Sequence, residues 1–162
     1  MTALIRTDSG NHDFVELVHL LDADLRERDG EEHAFYAQFN KIDKIRNVVV
    51  AYQDQLAVGC GAFKAYAEGI AEVKRMYVRP THRGQGIAGI VLQELEVWAA
   101  ELGFHTVLLE TGKKQYEAIR LYTKSGYRLI PNYGQYKEVE NSICMQKSIT
   151  GIPGEAIPVL ST

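Results

Sequence analysis

Cysteine, tryptophan, proline and long apolar runs are all scarce in this chain, and most of these shortages close off a class of protein. The two cysteines, Cys60 and Cys144, stand far apart in separate apolar, strand-like segments. Such a pair supplies neither a disulfide framework nor a zinc knuckle, so buried free thiols are expected. The five histidines show no paired ligand spacing, and no metal is expected. No apolar run approaches the ~20 residues that a membrane-spanning helix needs. The first ten residues lack a basic start leading into an apolar stretch. That pattern is not a secretion signal, and a cytoplasmic location is the expectation.

Positive charge is short as well. A formal net charge of −3 argues against the broad basic surface that nucleic-acid binding requires. The charge is unevenly spread, since residues 1–73 carry 7 Lys and Arg against 13 Asp and Glu, whereas residues 74–128 carry 9 against 5. A positive middle suits an anionic ligand, and an acidic first part suits a cationic one or is simply a set of solvated helix faces. With 162 residues, 46% hydrophobic and 24% charged, the chain reads as one soluble domain with a full core. Residues 150–162, with two prolines and two glycines, read as an irregular tail.

What is present is strongly patterned. Phe14, Leu17, Val18, Leu21 and Leu25 fall at three- and four-residue spacing and predict an amphipathic helix. A second, shorter helix is expected over residues 31–40, with Phe35, Tyr36 and Phe39 on it. A short strand at 3–7 precedes them, and strands at 48–52, 56–63 and 70–78 follow in close succession, joined by short polar turns that imply antiparallel hairpins. In the last of these, alternation puts Glu72, Lys74 and Met76 on one face and Val73, Arg75 and Tyr77 on the other. A carboxylate in mid-strand makes Glu72 a candidate general base; the plainer reading is an ion pair with Lys74 or Arg75.

Pro80 ends that strand. Ile87, Ile90, Val91, Leu95, Trp98, Ala99 and Leu102 then trace a helical stripe closed by Gly103. A strand at 104–110 follows, and strand, turn, helix and strand in this order imply a crossover between parallel strands. A helix at 116–125 and strands at 127–130 and 142–149 complete the pattern. The fold class expected is mixed α/β (α+β), with a mostly antiparallel central sheet of about six to seven strands flanked by four helices.

The run Arg83-Gly84-Gln85-Gly86-Ile87-Ala88-Gly89 lies between the strand and its helix. Glycines that open a helix leave backbone N–H groups unscreened and aim them along the positive helix end, which is a phosphate-binding arrangement. Arg83 beside them can add a charge-assisted contact. Taken alone, Gly84-Gln85-Gly86-Ile87-Ala88-Gly89 also fits the dinucleotide pattern G-x-G-x-x-G, with Glu110 near the spacing of a ribose-binding acid. A dinucleotide-binding oxidoreductase therefore stands as an alternative. Against it, the polar segment 79–83 separates strand from glycines, and only 52 residues follow Glu110.

Parsed as Arg83-x-x-Gly86-x-Ala88, and joined to Gln115-x-x-Ala118-Ile119-x-Leu121-Tyr122-x-Lys124-x-Gly126-Tyr127, the sequence resembles the GNAT-type N-acetyltransferase superfamily. The two motifs occur in the family's order, and Gln115 stands where many members carry Asn. Within the family the chain is most similar to small bacterial-type members with unassigned acceptors. They share a Leu-Glu-Thr-Gly strand end, here Leu109–Gly112, and a Pro-x-x-Gly-x-Tyr loop, here Pro131–Tyr136.

The resemblance implies acetyl-coenzyme A (acetyl-CoA) as co-substrate and transfer of its acetyl group to a primary amine of a small molecule or peptide. It implies cofactor contacts from Met76, Tyr77, Val78, Arg83, Gly84, Gln85, Gly86, Ile87, Ala88, Gln115, Ala118 and Lys124, and an acid role for Tyr122. Glu72 is then the candidate base, and Tyr36, Tyr133 and Tyr136 are candidate walls of the acceptor site. Neither nucleic acid nor membrane is expected as a partner, and a homodimer is left open. A non-catalytic acyl-CoA sensor would keep the 83–88 turn without needing Glu72 or Tyr122.

Overall fold

The computed structural model describes residues 1–29 and 44–150. Its frame is a seven-stranded sheet in the order β1-β2-β3-β4-β5-β7-β6. The strands are β1 (Ala3–Thr7), β2 (Asn47–Gln53), β3 (Leu56–Ala67), β4 (Ile70–Val78), β5 (Thr106–Gly112), β6 (Arg128–Ile130) and β7 (Ser142–Ser148). Every neighbouring pair is antiparallel except β4 and β5. The mixed, mostly antiparallel sheet is thus as the residue pattern implies, and the single parallel pair spans the connection that required a crossover helix.

Three α-helices lie among the described residues: α1 (His12–Asp29), α2 (Ile87–Glu101) and α3 (Tyr116–Lys124). The helix expected over 31–40, and with it Tyr36, lies outside the described residues, as does the tail beyond residue 150. The apolar stripe of α1 buries Phe14, Leu17 and Val18 against Val48, Val50, Ala57, Cys60, Ala62 and Tyr77. On the other face of the sheet, α2 buries Ile87, Val91, Leu92, Leu95 and Ala99 against Val49, Ala51, Phe63, Ala71, Val73 and Val107. Asn11 caps α1, its side-chain oxygen accepting from the Phe14 amide at 2.9 Å.

Two differences from the sequence pattern have a plain physical cause. The fifth strand begins at Thr106, not at residue 104. Phe104 is instead spent in ending α2: its amide donates to Ala99 O and that of Gly103 to Ala100 O, both at 3.0 Å, which closes the last helical turn. The second difference lies in β4, where the register against β3 slips between Cys60 and Ala62 and Arg75 takes φ +65°. The slip is a β-bulge, which adds one residue to β4 and interrupts its alternation. Met76 therefore joins Val73 on the α2 side, whereas Tyr77 packs with Phe14 on the α1 side. The grouping of Met76 with Glu72 and Lys74, and of Val73 with Arg75 and Tyr77, is corrected by this bulge.

Candidate active site

The glycine turn is built as the sequence suggests. After β4, a single 3-10 turn (Pro80–His82) leads into extended Arg83, and Gly84 and Gly86 take φ of +82° and +80°. L side chains adopt that region only with strain, so glycine is the residue that fits. A Cβ placed on either glycine meets nothing within 4 Å, so the turn opens into free space. Gly86 is the N-cap of α2, and no side chain caps the helix. The first amides of α2 are thus left for a ligand, at the positive end of its dipole. Arg83 is fixed beside them: its Nε donates to Val78 O at 2.8 Å and its guanidinium lies 5.5 Å from the centre of the Tyr77 ring.

A cavity of about 320 Å³ runs along this turn. Met76, Tyr77, Val78, Arg83, Gly84, Gly86, Ile87 and Ala88 line it from β4 and α2, and Gln115, Ala118 and Tyr122 line it from α3. Gln85 and Lys124 do not. Gln85 is exposed and accepts a bond from Gln53 Nε2 at 3.0 Å, and Lys124 is exposed at the end of α3.

The parallel pair opens next to this turn. β4 and β5 are bonded only from Ile70–Glu72 to Thr106–Leu108, and beyond that point they diverge. A second cavity of about 130 Å³ fills the splay. Glu72, Lys74, Arg75, Glu110 and Tyr136 line it, and Leu21, Met76, Gln115, Ala118 and Tyr122 line both cavities. The two spaces therefore share a wall at Tyr122.

Glu72 is only 4% exposed. Its Oε2 accepts the Tyr133 hydroxyl at 2.7 Å, which replaces the ion pair with Lys74 or Arg75 that the strand pattern also allowed. Tyr133 stacks edge-on against Tyr136 and Tyr66, and that aromatic cluster fixes its hydroxyl. Glu110, which the dinucleotide pattern would assign to a ribose, accepts the Ser142 hydroxyl at 2.7 Å within the β5–β7 pair. Burial pushes the phenols of Tyr122, Tyr133 and Tyr136 well above the ordinary tyrosine range; the Glu110 charge adds to the effect at Tyr122 and Tyr136, and the Glu72 charge at Tyr133 and Tyr136. All three are neutral donors at any physiological pH. Lys74 is pulled below its ordinary value, chiefly by burial.

Sequence reasoning missed Lys74 and Arg75 as cavity residues; Lys74 keeps the face of Glu72 that alternation gave it, and the bulge that turns Arg75 inward has no glycine to announce it. It also missed Asp24, His82, Glu117 and Leu121 on the larger cavity. Among the described residues no group of three or more His, Cys, Asp or Glu could hold a metal ion, and no helix is long and apolar enough to cross a membrane.

An uncapped helix end at a glycine turn, continuous with a small titratable cavity in a split parallel pair, can hold an anionic ligand at one end and set its other end among titratable groups. Comparison with known proteins agrees. The model of the acetyltransferase (GNAT) family matches residues 14–127, and the chain belongs to that family. By class it is an N-acetyltransferase with acetyl-CoA as donor, and the dinucleotide reading of the glycines is set aside. An "IAA acetyltransferase" of Azospirillum brasilense is 39% identical over 102 residues, covering 62% of this chain and 67% of that protein. The matches to the first curated relatives span between 55% and 67% of those proteins' own lengths. A structure from Klebsiella pneumoniae, assigned as an acyl-CoA N-acyltransferase, superimposes with a TM-score of 0.77 at 30% identity, covering 92% of this chain and 98% of that one. A GNAT family acetyltransferase from Elizabethkingia anophelis with acetyl-CoA bound shares the fold, with a TM-score of 0.65 at 16% identity over 91% of this chain and 99% of that one.

Proposed function

We propose that the protein transfers the acetyl group of acetyl-CoA directly to the primary amine of a small molecule or peptide, in the splay between β4 and β5. The observation that carries this reading is the shared wall. Glu72 and Tyr122 face one small cavity, and Tyr122 also faces the cavity that runs to the glycine turn. Acetyl-CoA supplies a thioester already activated toward amines. The Gly84–Ala88 amides and Arg83 would hold its phosphates, since an uncapped helix end and an adjacent guanidinium fit an anion. Met76, Tyr77, Val78, Gln115 and Ala118 would border the part that reaches inward.

The residues then divide the proton work. An alkylammonium has a pKa near ~10 and attacks only after losing a proton. Glu72 takes that proton, directly or through one water, while Tyr133 holds its other oxygen in place. The amine nitrogen bonds to the carbonyl carbon, the carbon–sulfur bond breaks with its electron pair on sulfur, and the second proton shed by the nitrogen passes to that sulfur, which leaves as the free thiol. Tyr122, kept neutral by burial, donates a hydrogen bond to the developing thiolate. Tyr136 closes the cavity opposite.

The reading is tested by thiol release from acetyl-CoA with the purified protein and a panel of amines: amino acids, polyamines, aminoglycosides and lysine peptides. Amine-dependent release is expected. Tight binding of acetyl-CoA with no release across the panel would overturn the reading and identify a sensor.

A further inference from the structure

The small cavity carries cations as well as carboxylates. The bulge at Arg75 makes Lys74 and Arg75 successive residues on the α1 side of β4. Lys74 lies opposite Ala62, which is packed against α1, and Arg75 NH1 stands 3.8 Å from Asp22 of α1. A bulge is a device for re-aiming a side chain, and here it brings a second positive charge to a wall that regular alternation would have left with one. The ammonium of Lys74 makes no hydrogen bond and no ion pair within the described residues, although Glu72 lies two positions away. Glu72 is held by the Tyr133 hydroxyl, not by Lys74. Glu72 and Glu110 attract the Lys74 ammonium, but the cost of burying it, with repulsion from Lys64 and Arg75, outweighs them and lowers its pKa. A carboxylate arriving with the acceptor would relieve that cost.

Resting on the acetyl-transfer reading above, we infer that Lys74, with Arg75 beside it, forms an anion subsite, and that the acceptor is a small molecule carrying both an amine and a carboxylate, of the α-amino acid type. The cavity, about 130 Å³, has room for a molecule of that size. The amine lies toward Glu72 and the acid group toward Lys74. The subsite thereby sets which end of the acceptor enters and selects against amines that carry no acid group.

The test compares acceptors matched in everything but the acid group: the proteinogenic L-amino acids, their α-amides, and the corresponding decarboxylated amines. Thiol release should occur with at least one amino acid, and its kcat/KM should exceed that of its amide by at least about tenfold, the size of one charge-assisted hydrogen bond. Lys74→Met should raise KM for that amino acid about tenfold or more, leave acetyl-CoA affinity and the circular dichroism spectrum unchanged, and collapse the preference over the amide. Lys74→Arg should restore most of the preference, which a merely structural role would not predict. Equal use of amide and acid, or an unchanged preference in Lys74→Met, overturns the subsite while leaving acetyl transfer intact. Release with polyamines or lysine peptides but with no amino acid does the same. No release with any amine, with acetyl-CoA still bound, overturns both.

Discussion

Gly86 and Gly103 stand at opposite ends of α2 and provide a matched pair for testing the phosphate cradle. Both have positive φ, +80° and +95°, and a Cβ on either meets nothing within 4 Å. Leucine at either position should therefore cost the same backbone strain, about 1–2 kcal/mol. For a domain of this size that is a fall of roughly 2–8 °C in Tm. Their consequences for binding should differ, because 15 helical residues, about 22 Å of helix, separate them. A side chain at Gly86 projects into the space lined by Arg83 and Ala88 and blocks the first amides of α2. Each charge-assisted bond so lost weakens acetyl-CoA by about ten- to a hundredfold in Kd. Gly103→Leu should bind acetyl-CoA as the parent does. Thermal unfolding and titration calorimetry on the two variants decide the matter. Equal affinity in both, or equal loss in both, would refute the placement of the cradle.

Tyr133→Phe should lower kcat with little change in KM for acetyl-CoA, because Glu72 loses the hydroxyl that orients it; an unchanged kcat under steady-state assay would remove Tyr133 from the site. Tyr122→Phe should slow the single-turnover step by roughly 10²–10³-fold, the usual size for loss of one donor to developing charge. Normal single turnover would exclude that role. Burial pushes Cys60 up to about 12 and Cys144 up to about 11. Raised values mean a smaller thiolate fraction, so neither should react with a disulfide reagent at pH 8 until the protein unfolds, and prompt native-state labelling would contradict the packing.

The parts of this protein that were legible in its sequence are those that leave a local chemical trace. Gly84 and Gly86 adopt positive φ, which only glycine does cheaply, and so the turn was visible as composition. The burial of Phe14, Leu17 and Val18 was visible as helical spacing. The bulge at Arg75 was invisible, since a non-glycine residue holds its positive φ through the tertiary packing of β4 between β3 and α1. With it went the inward aim of Arg75 and the correct face of Met76. Phe104 misled for another reason: its apolar character fits a strand start, yet its amide is needed to finish α2. The bond from Tyr133 to Glu72 joins residues 61 apart and depends on a loop whose path no spacing rule supplies.

The central claim is that Glu72 works on the acceptor's proton and not on the donor's binding. Single-turnover acetyl transfer by Glu72→Gln, preloaded with acetyl-CoA and mixed with a reactive amine at neutral pH, tests it most directly. Transfer should slow by about 10²-fold or more, the usual contribution of a general base, while acetyl-CoA affinity stays within about twofold. Transfer at the parental rate would contradict the account.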